Sequence, residues 1–142
     1  MHDFLTKKIT FLVFSMLLAG LSLINVSMLN AEETVGVKVA EKADIGLYLT
    51  DGNGMTLYTY ADDTTGVSNC EGKCLANWPV FYVDPTAAVE GLEAIDLGTI
   101  TRADGTKQTT YLGMPLYYFI KDKNPGDTNG QGLKDVWYVV TP

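Results

Sequence analysis

The chain has 142 residues, a formal net charge of −7 from 10 Lys/Arg against 17 Asp/Glu, and a single histidine, His2. An acidic balance of this size repels phosphate backbones, so nucleic acid is not an expected partner, and anionic membrane surfaces are disfavoured for the same reason. His2 falls in a segment read below as a leader. Without it the chain can assemble no Ser-His-Asp or Cys-His site and no His-containing zinc or haem attachment site, so the expectation is a protein that is not an enzyme.

Residues 1–31 read as a secretory signal peptide. Lys7 and Lys8 precede an apolar run from Ile9 to Leu29 that ends at Leu29-Asn30-Ala31, with a small residue at the last position before the cut. Both cysteines lie far beyond this segment, at Cys70 and Cys74, so no lipid attachment is expected there. Cleavage leaves residues 32–142 as one secreted or periplasmic domain with no stable membrane insertion. An apolar run of about 20 residues is also long enough to be retained as an anchor.

Along the mature segment, Val35, Val37 and Val39 alternate as a possible edge strand in a solvated entry to the fold. Residues 45–50 form a strand, and Asp51-Gly52-Asn53-Gly54 is a tight turn that returns residues 55–60 as the second arm of a hairpin. A polar loop then leads to residues 70–77, a short helical turn that Trp78-Pro79 ends, because a residue before proline avoids the helical region. Residues 80–83 are a strand. The apolar spacing over 86–97 permits one short helix, weakened by Gly91. Residues 99–102 and 106–112 flank Ala103-Asp104-Gly105 as another hairpin, residues 124–132 are a turn-rich loop, and 136–140 are the closing strand. This inventory predicts an all-β domain, a small sandwich or partly closed barrel with at most one short helix.

One phrase is used twice. Gly54-Met55-Thr56-Leu57-Tyr58-Thr59-Tyr60-Ala61-Asp62-Asp63 recurs without a gap as Gly113-Met114-Pro115-Leu116-Tyr117-Tyr118-Phe119-Ile120-Lys121-Asp122. The same offset superposes Trp78 on Trp137, the only two tryptophans, and Val80 on Val139. Two copies predict two halves, about 45–83 and 104–140, that share one core. Within each phrase, strand alternation sends Leu57 and Thr59 to one face and Tyr58 and Tyr60 to the other. Leu116 and Tyr118 likewise oppose Tyr117 and Phe119. Asp63 and Asp122 close their phrases as turn residues. The aromatic face is read as core and cross-strand packing, with a face that stacks on a flat ligand as the sharper alternative.

Several of these stretches together carry a resemblance. The chain resembles a family of bacterial secreted proteins and lipoproteins known for a Tyr-x-(Phe/Trp/Tyr)-x-x-Asp motif and described as a secreted repeat of unknown function. Tyr58-x-Tyr60-x-x-Asp63 and Tyr117-x-Phe119-x-x-Asp122 match that motif. Further matches are Cys70-x-x-x-Cys74-x-x-x-Trp78-Pro79 and the loop 125–132 followed by Trp137-Tyr138. The resemblance implies an extracytoplasmic location and a domain type, but no settled activity. The chain departs from the lipoprotein members in lacking a lipid-bearing cysteine.

Two constellations remain as chemistry. Cys70 and Cys74, in an oxidising compartment, suit a structural disulfide. On a helical turn their Cα atoms would lie about 6 Å apart, and a loop this short gives a bridge worth about 2 kcal/mol. The alternative is a copper or thiol-redox module in which the same two thiolates bind Cu(I) with Met55 or Met114. The loop starting at Asp127 resembles the beginning of a calcium site, but its twelfth position is Tyr138 rather than a bidentate glutamate, so a turn is expected. The reading is a non-enzymatic binding or interaction domain whose partner is an envelope protein or a small ligand.

Overall fold

The computed structural model describes residues 35–142, and the signal peptide expected over residues 1–31 lies outside them. Eight strands occur in three small sheets: β1 Val35–Lys42, β2 Gly46–Asp51, β3 Tyr58–Tyr60, β4 Ala88–Glu90, β5 Leu97–Thr101, β6 Lys107–Tyr111, β7 Met114–Pro115 and β8 Trp137–Val139. The sheet orders are β2-β1-β4, β3-β8 and β5-β6-β7, so no barrel closes. One α-helix, α1 Lys73–Asn77, and one 3-10 turn, Ala94–Asp96, complete the described residues. The expected all-β class with one short helix holds.

Three local expectations are corrected. The strand at the chain entry is not an edge: β1 sits in the middle of its sheet, antiparallel to β2 and parallel to β4. Val37 is fully buried, so its alternation marks a core face rather than a solvated leader. The helix expected over 86–97 is replaced by β4 and the 3-10 turn. Gly91 has φ 82°, which a helix cannot hold, and a Cβ there would stand 2.9 Å from Val39 Cγ2. Residues 80–83 form no strand. They make an isolated bridge, Val80 to Tyr117, and Phe81 is pinned by Phe81 N–H to Leu116 O (3.0 Å) and Thr109 N–H to Phe81 O (2.9 Å).

The hairpin around Ala103-Asp104-Gly105 forms as read, with β5 and β6 in register from Leu97–Tyr111 to Thr101–Lys107. The first hairpin forms only at its tip. Asp51 Oδ1 accepts from the N–H of Asn53 and of Met55 (both 2.9 Å), and Thr50 bridges Thr56. Beyond that the returning segment leaves β2, and β3 pairs with β8 at the far end of the chain.

That departure follows from the repeat. Tyr58 and Tyr117 exchange both backbone hydrogen bonds, at 2.8 and 2.9 Å. The bonds around this pair recur between repeat mates in the opposite sense. Val140 N–H reaches Leu57 O (3.1 Å) as Phe81 N–H reaches Leu116 O, and Ala61 N–H reaches Val136 O (2.7 Å) as Ile120 N–H reaches Asn77 O (2.9 Å). The two halves are therefore related by an approximate two-fold axis through Tyr58 and Tyr117. Strand alternation then divides the core in two. Leu57, Leu116, Phe81 and Val140 enter one buried cluster, and Tyr58, Tyr117, Trp78, Trp137 and Phe119 enter the other.

Candidate functional site

The second cluster gathers the motif residues of both halves. Its centre is the pair of indoles, Trp78 on Trp137, with ring centroids 3.7 Å apart and planes 5° from parallel. Phe119 stacks on Trp78 at 4.2 Å and Tyr60 on Trp137 at 4.4 Å, so four rings form one column. Tyr58 meets Trp78 edge-on at 5.3 Å, and Tyr117 meets Trp137 edge-on at 5.2 Å. Each such contact adds about 0.5–1.5 kcal/mol beyond the area it buries. Because Tyr60 and Phe119 come from different halves, the column staples the halves together. Trp78 and Trp137 are 4% and 3% exposed, so packing, rather than a ligand, occupies their faces.

The hydroxyls and carboxylates of the motif are crossed between halves. Tyr58 donates to Asp122 Oδ2 at 2.6 Å, and Tyr117 donates to Asp63 Oδ2 at 2.7 Å. Each carboxylate also closes its own loop, as the turn reading required: Asp63 Oδ1 accepts from Asn69 N–H (2.6 Å) and Asp122 Oδ1 from Asn129 N–H (2.9 Å). Tyr58 in turn accepts from Gly130 N–H at 3.2 Å. Gly130 must be glycine here, since a Cβ would lie 2.7 Å from Trp78 Cη2 and 2.8 Å from Tyr58 Cε1.

Burial sets the electrostatics. It is the main reason the Tyr58 phenol is pushed far above its ordinary range, with the Asp122 carboxylate adding to the shift. The Tyr117 phenol is pushed up to about 12, again by burial first and by the Asp63 hydrogen bond second. Burial also raises Asp63, opposed by the Asn69 amide and the Tyr117 hydroxyl that it accepts from. Both tyrosines are therefore neutral donors at any physiological pH.

Sequence reasoning missed Arg102, which is 7% exposed. Its guanidinium donates to Ser68 Oγ, Gln108 Oε1 and Cys70 O, each at 2.6 Å, while Nε is buried without a partner. Tyr117 gives its proton to Asp63, so Ser68 donates to the Tyr117 oxygen at 2.5 Å, and a directed chain runs Arg102–Ser68–Tyr117–Asp63. Arg102 is the only arginine of the chain, the one signal that singled it out. In the other half Lys42 holds a comparable place, donating to Thr128 Oγ1 at 2.9 Å and Gly126 O at 3.2 Å.

Cys70 and Cys74 are joined in a disulfide with Cα atoms 5.3 Å apart; Cys74 lies on α1, whereas Cys70, expected on the same helical turn, precedes it, because Gly72 at φ 55° and ψ −119° is not helical. Cys70 is fully buried against the aromatic cluster, and Cys74 is half-buried beside it. Met55 and Met114 are not in that cluster: Met55 sits at the Asp51 turn and Met114 pairs with Tyr111 on β7. Asp127 Oδ2 accepts from the N–H of Lys123 and Asn124 (both 2.9 Å), and these amides hold its carboxyl below the usual range. It closes a turn. Among the described residues no group of three or more His, Cys, Asp or Glu side chains is placed to hold a metal ion.

A family model described as "Secreted repeat of unknown function" matches residues 39–82 and again 98–141, more than half of the chain. The two matches are equally long and stand in the same offset as Tyr58 and Tyr117, so each covers one of the halves around the axis. No curated protein and no solved structure is similar enough to match.

Proposed function

The chain belongs to the family of secreted repeats of unknown function, and on that premise we propose that it is an extracytoplasmic binding or interaction domain that works without catalytic chemistry. The observation that carries this reading is the crossed use of Tyr58, Tyr117, Asp63 and Asp122. These are the polar groups that the repeat brings together at its centre, and each is spent on a bond within the protein. A general acid or base must instead reach a substrate atom. The motif residues act as the frame that fixes two β halves, and recognition falls to the surface that the frame holds rigid.

The competing reading is a copper or thiol-redox module using Cys70 and Cys74, favoured by the partial exposure of Cys74. Co-sedimentation with the envelope fraction of the producing cells separates the two, using the wild-type protein and a Cys70→Ser/Cys74→Ser variant. Saturable association that the double variant retains is the expected result. If association disappears with the cysteines and the reduced wild type takes up one Cu(I), the redox reading replaces ours. Absence of association in both proteins would refute the binding reading outright.

A further inference from the structure

A groove of about 440 Å³ opens between α1 and the segment 133–137, with the aromatic column as its floor. Its lining divides by the two-fold axis. Tyr60 and Phe119, Trp78 and Trp137, Cys74 and Leu133, Asn77 and Val136 are repeat mates, so the groove straddles the axis with a mostly apolar frame. The charged members break that symmetry. Lys73, Lys121 and Lys134 line the groove, whereas their mates are Gly132, Asp62 and Leu75, and no carboxylate lines it. Removing Asp3, Lys7 and Lys8 with the leader leaves 8 Lys/Arg against 16 Asp/Glu in residues 32–142. Three of the eight cations of an acidic domain thus converge on one cavity.

A second observation points to the same place. Lys134 and Asp135 hold φ of 56° and 57°, in the left-handed region that non-glycine residues avoid. The turn is fixed by Asp135 N–H to Gly132 O (3.1 Å) and Gly132 N–H to Trp137 O (2.8 Å). A backbone of this kind costs about 1 kcal/mol or more per residue and tends to cluster at ligand clamps and active sites. Here it sets Lys134 on the rim of the groove; Leu112, at φ 47°, is the third such residue and lies outside the groove.

Resting on the binding reading above, we propose that this groove is its ligand site and that it takes a small planar aromatic anion: one or two fused rings bearing a carboxylate, sulfonate or phosphate. The volume suits one small molecule. The indoles are nearly sealed, so the ring system lies against the half-exposed face of Tyr60 and the side chain of Leu133. The anionic group meets the three lysines; Asp62, at the Tyr60 hydroxyl, is a carboxylate beside the groove but not in its lining.

The test uses 1-anilinonaphthalene-8-sulfonate and its uncharged counterpart N-phenyl-1-naphthylamine, added to the protein expressed with its own leader. Trp78 and Trp137, the only tryptophans, line the groove and report occupancy by quenching. We expect saturable one-to-one binding of the anion, weakened by salt as the screening length falls from about 10 Å to about 3 Å between 0.1 and 1 M. Three weak exposed charge contacts, each worth a few-fold, multiply to about a tenfold loss in the Lys73→Gln/Lys121→Gln/Lys134→Gln variant. The uncharged probe should bind that variant and the wild type alike. A Lys38→Gln/Lys107→Gln variant, altered outside the groove, should keep the wild-type affinity. Equal affinity for the two probes, undiminished anion binding by the triple variant, or no quenching at all would overturn the assignment. Loss of anion selectivity with envelope association intact removes this site alone. Anion binding without envelope association removes the envelope reading and leaves the groove standing.

Discussion

Replacing Tyr58 by Phe removes one hydroxyl from the centre of the molecule and leaves two groups without their partners. Asp122 Oδ2 loses a donor at 2.6 Å, and Gly130 N–H loses an acceptor at 3.2 Å. Tyr58 is fully buried and Asp122 is 7% exposed, so water does not readily replace either bond. A hydrogen bond to a charged acceptor is worth about 1.5–3 kcal/mol, and an orphaned buried N–H costs about 1 kcal/mol more. The expected loss is therefore about 3 kcal/mol, against a total stability of about 5–15 kcal/mol for a domain of this kind, so the variant still folds. Urea unfolding followed by tryptophan fluorescence measures it, because both indoles sit in the cluster that dissolves. A double-mutant cycle then tests the crossing itself. Tyr58→Phe with Asp122→Asn should show a coupling of at least about 1.5 kcal/mol, and Tyr58→Phe with Asp63→Asn, within the same half, less than about 0.5 kcal/mol. A larger coupling to Asp63 than to Asp122 would mean that each half closes on itself, and the two-fold arrangement would be wrong.

Further expectations concern the rest of the frame. Changing Cys70 and Cys74 together to Ser should cost about 2 kcal/mol or less with an unchanged far-ultraviolet spectrum, since the bridge closes only a five-residue loop; a variant that no longer folds would show that the bridge does more than shorten the unfolded chain. Gly130→Ala should cost about 1–3 kcal/mol and disturb the near-ultraviolet signal of the stacked indoles, because its Cβ meets two rigid rings rather than a flexible side chain; a neutral result would place the loop farther from Trp78. Alkaline titration has a definite sign. Folded Tyr58 and Tyr117 ionise above the unfolded value of about 10, so their contribution is intact below that pH and is lost as pH rises toward the folded values. Burial raises the Tyr118 phenol in the same way, so with three such groups stability should fall by roughly 4 kcal/mol per pH unit between about 10 and 12, and tyrosinate absorbance should show at least three phenols that appear only on unfolding. If all the tyrosines ionise together near 10, the burial argument fails.

Much of the frame was legible because its signals are local. The shared gapless offset of Tyr58 from Tyr117 and of Trp78 from Trp137 announced two equivalent halves. Period-two alternation assigned Leu57 and Leu116 to one face and Tyr58 and Tyr117 to the other, and the two core clusters keep that division. Ala103-Asp104-Gly105 fixed a hairpin through its own turn chemistry. Cysteines four residues apart were within reach of each other even though only Cys74 lies on the helix. The 86–97 segment misled because its apolar spacing fits a helix and a half-buried strand alike, and the left-handed φ of Gly91 and its packing against Val39 decide between them.

What the sequence determined by itself is part of the content of each half: its turns, and which side chains of the repeated phrase face which core. What only the tertiary structure decided is how the halves are exchanged. No local feature states that Tyr58 bonds Asp122 rather than Asp63, that β3 pairs with β8, that β1 is central, or that Arg102 is drawn inside to feed Ser68 and Tyr117. Tyr58 and Asp122 stand 64 positions apart, and Tyr117 and Asp63 stand 54 apart. Pairings at such separations are chosen by the whole molecule, in an arrangement that stacks four rings, buries both leucine-lined and tyrosine-lined faces, and gives the hydroxyls of Tyr58 and Tyr117 buried carboxylate partners. That condition belongs to both halves at once, and neither repeat contains it alone.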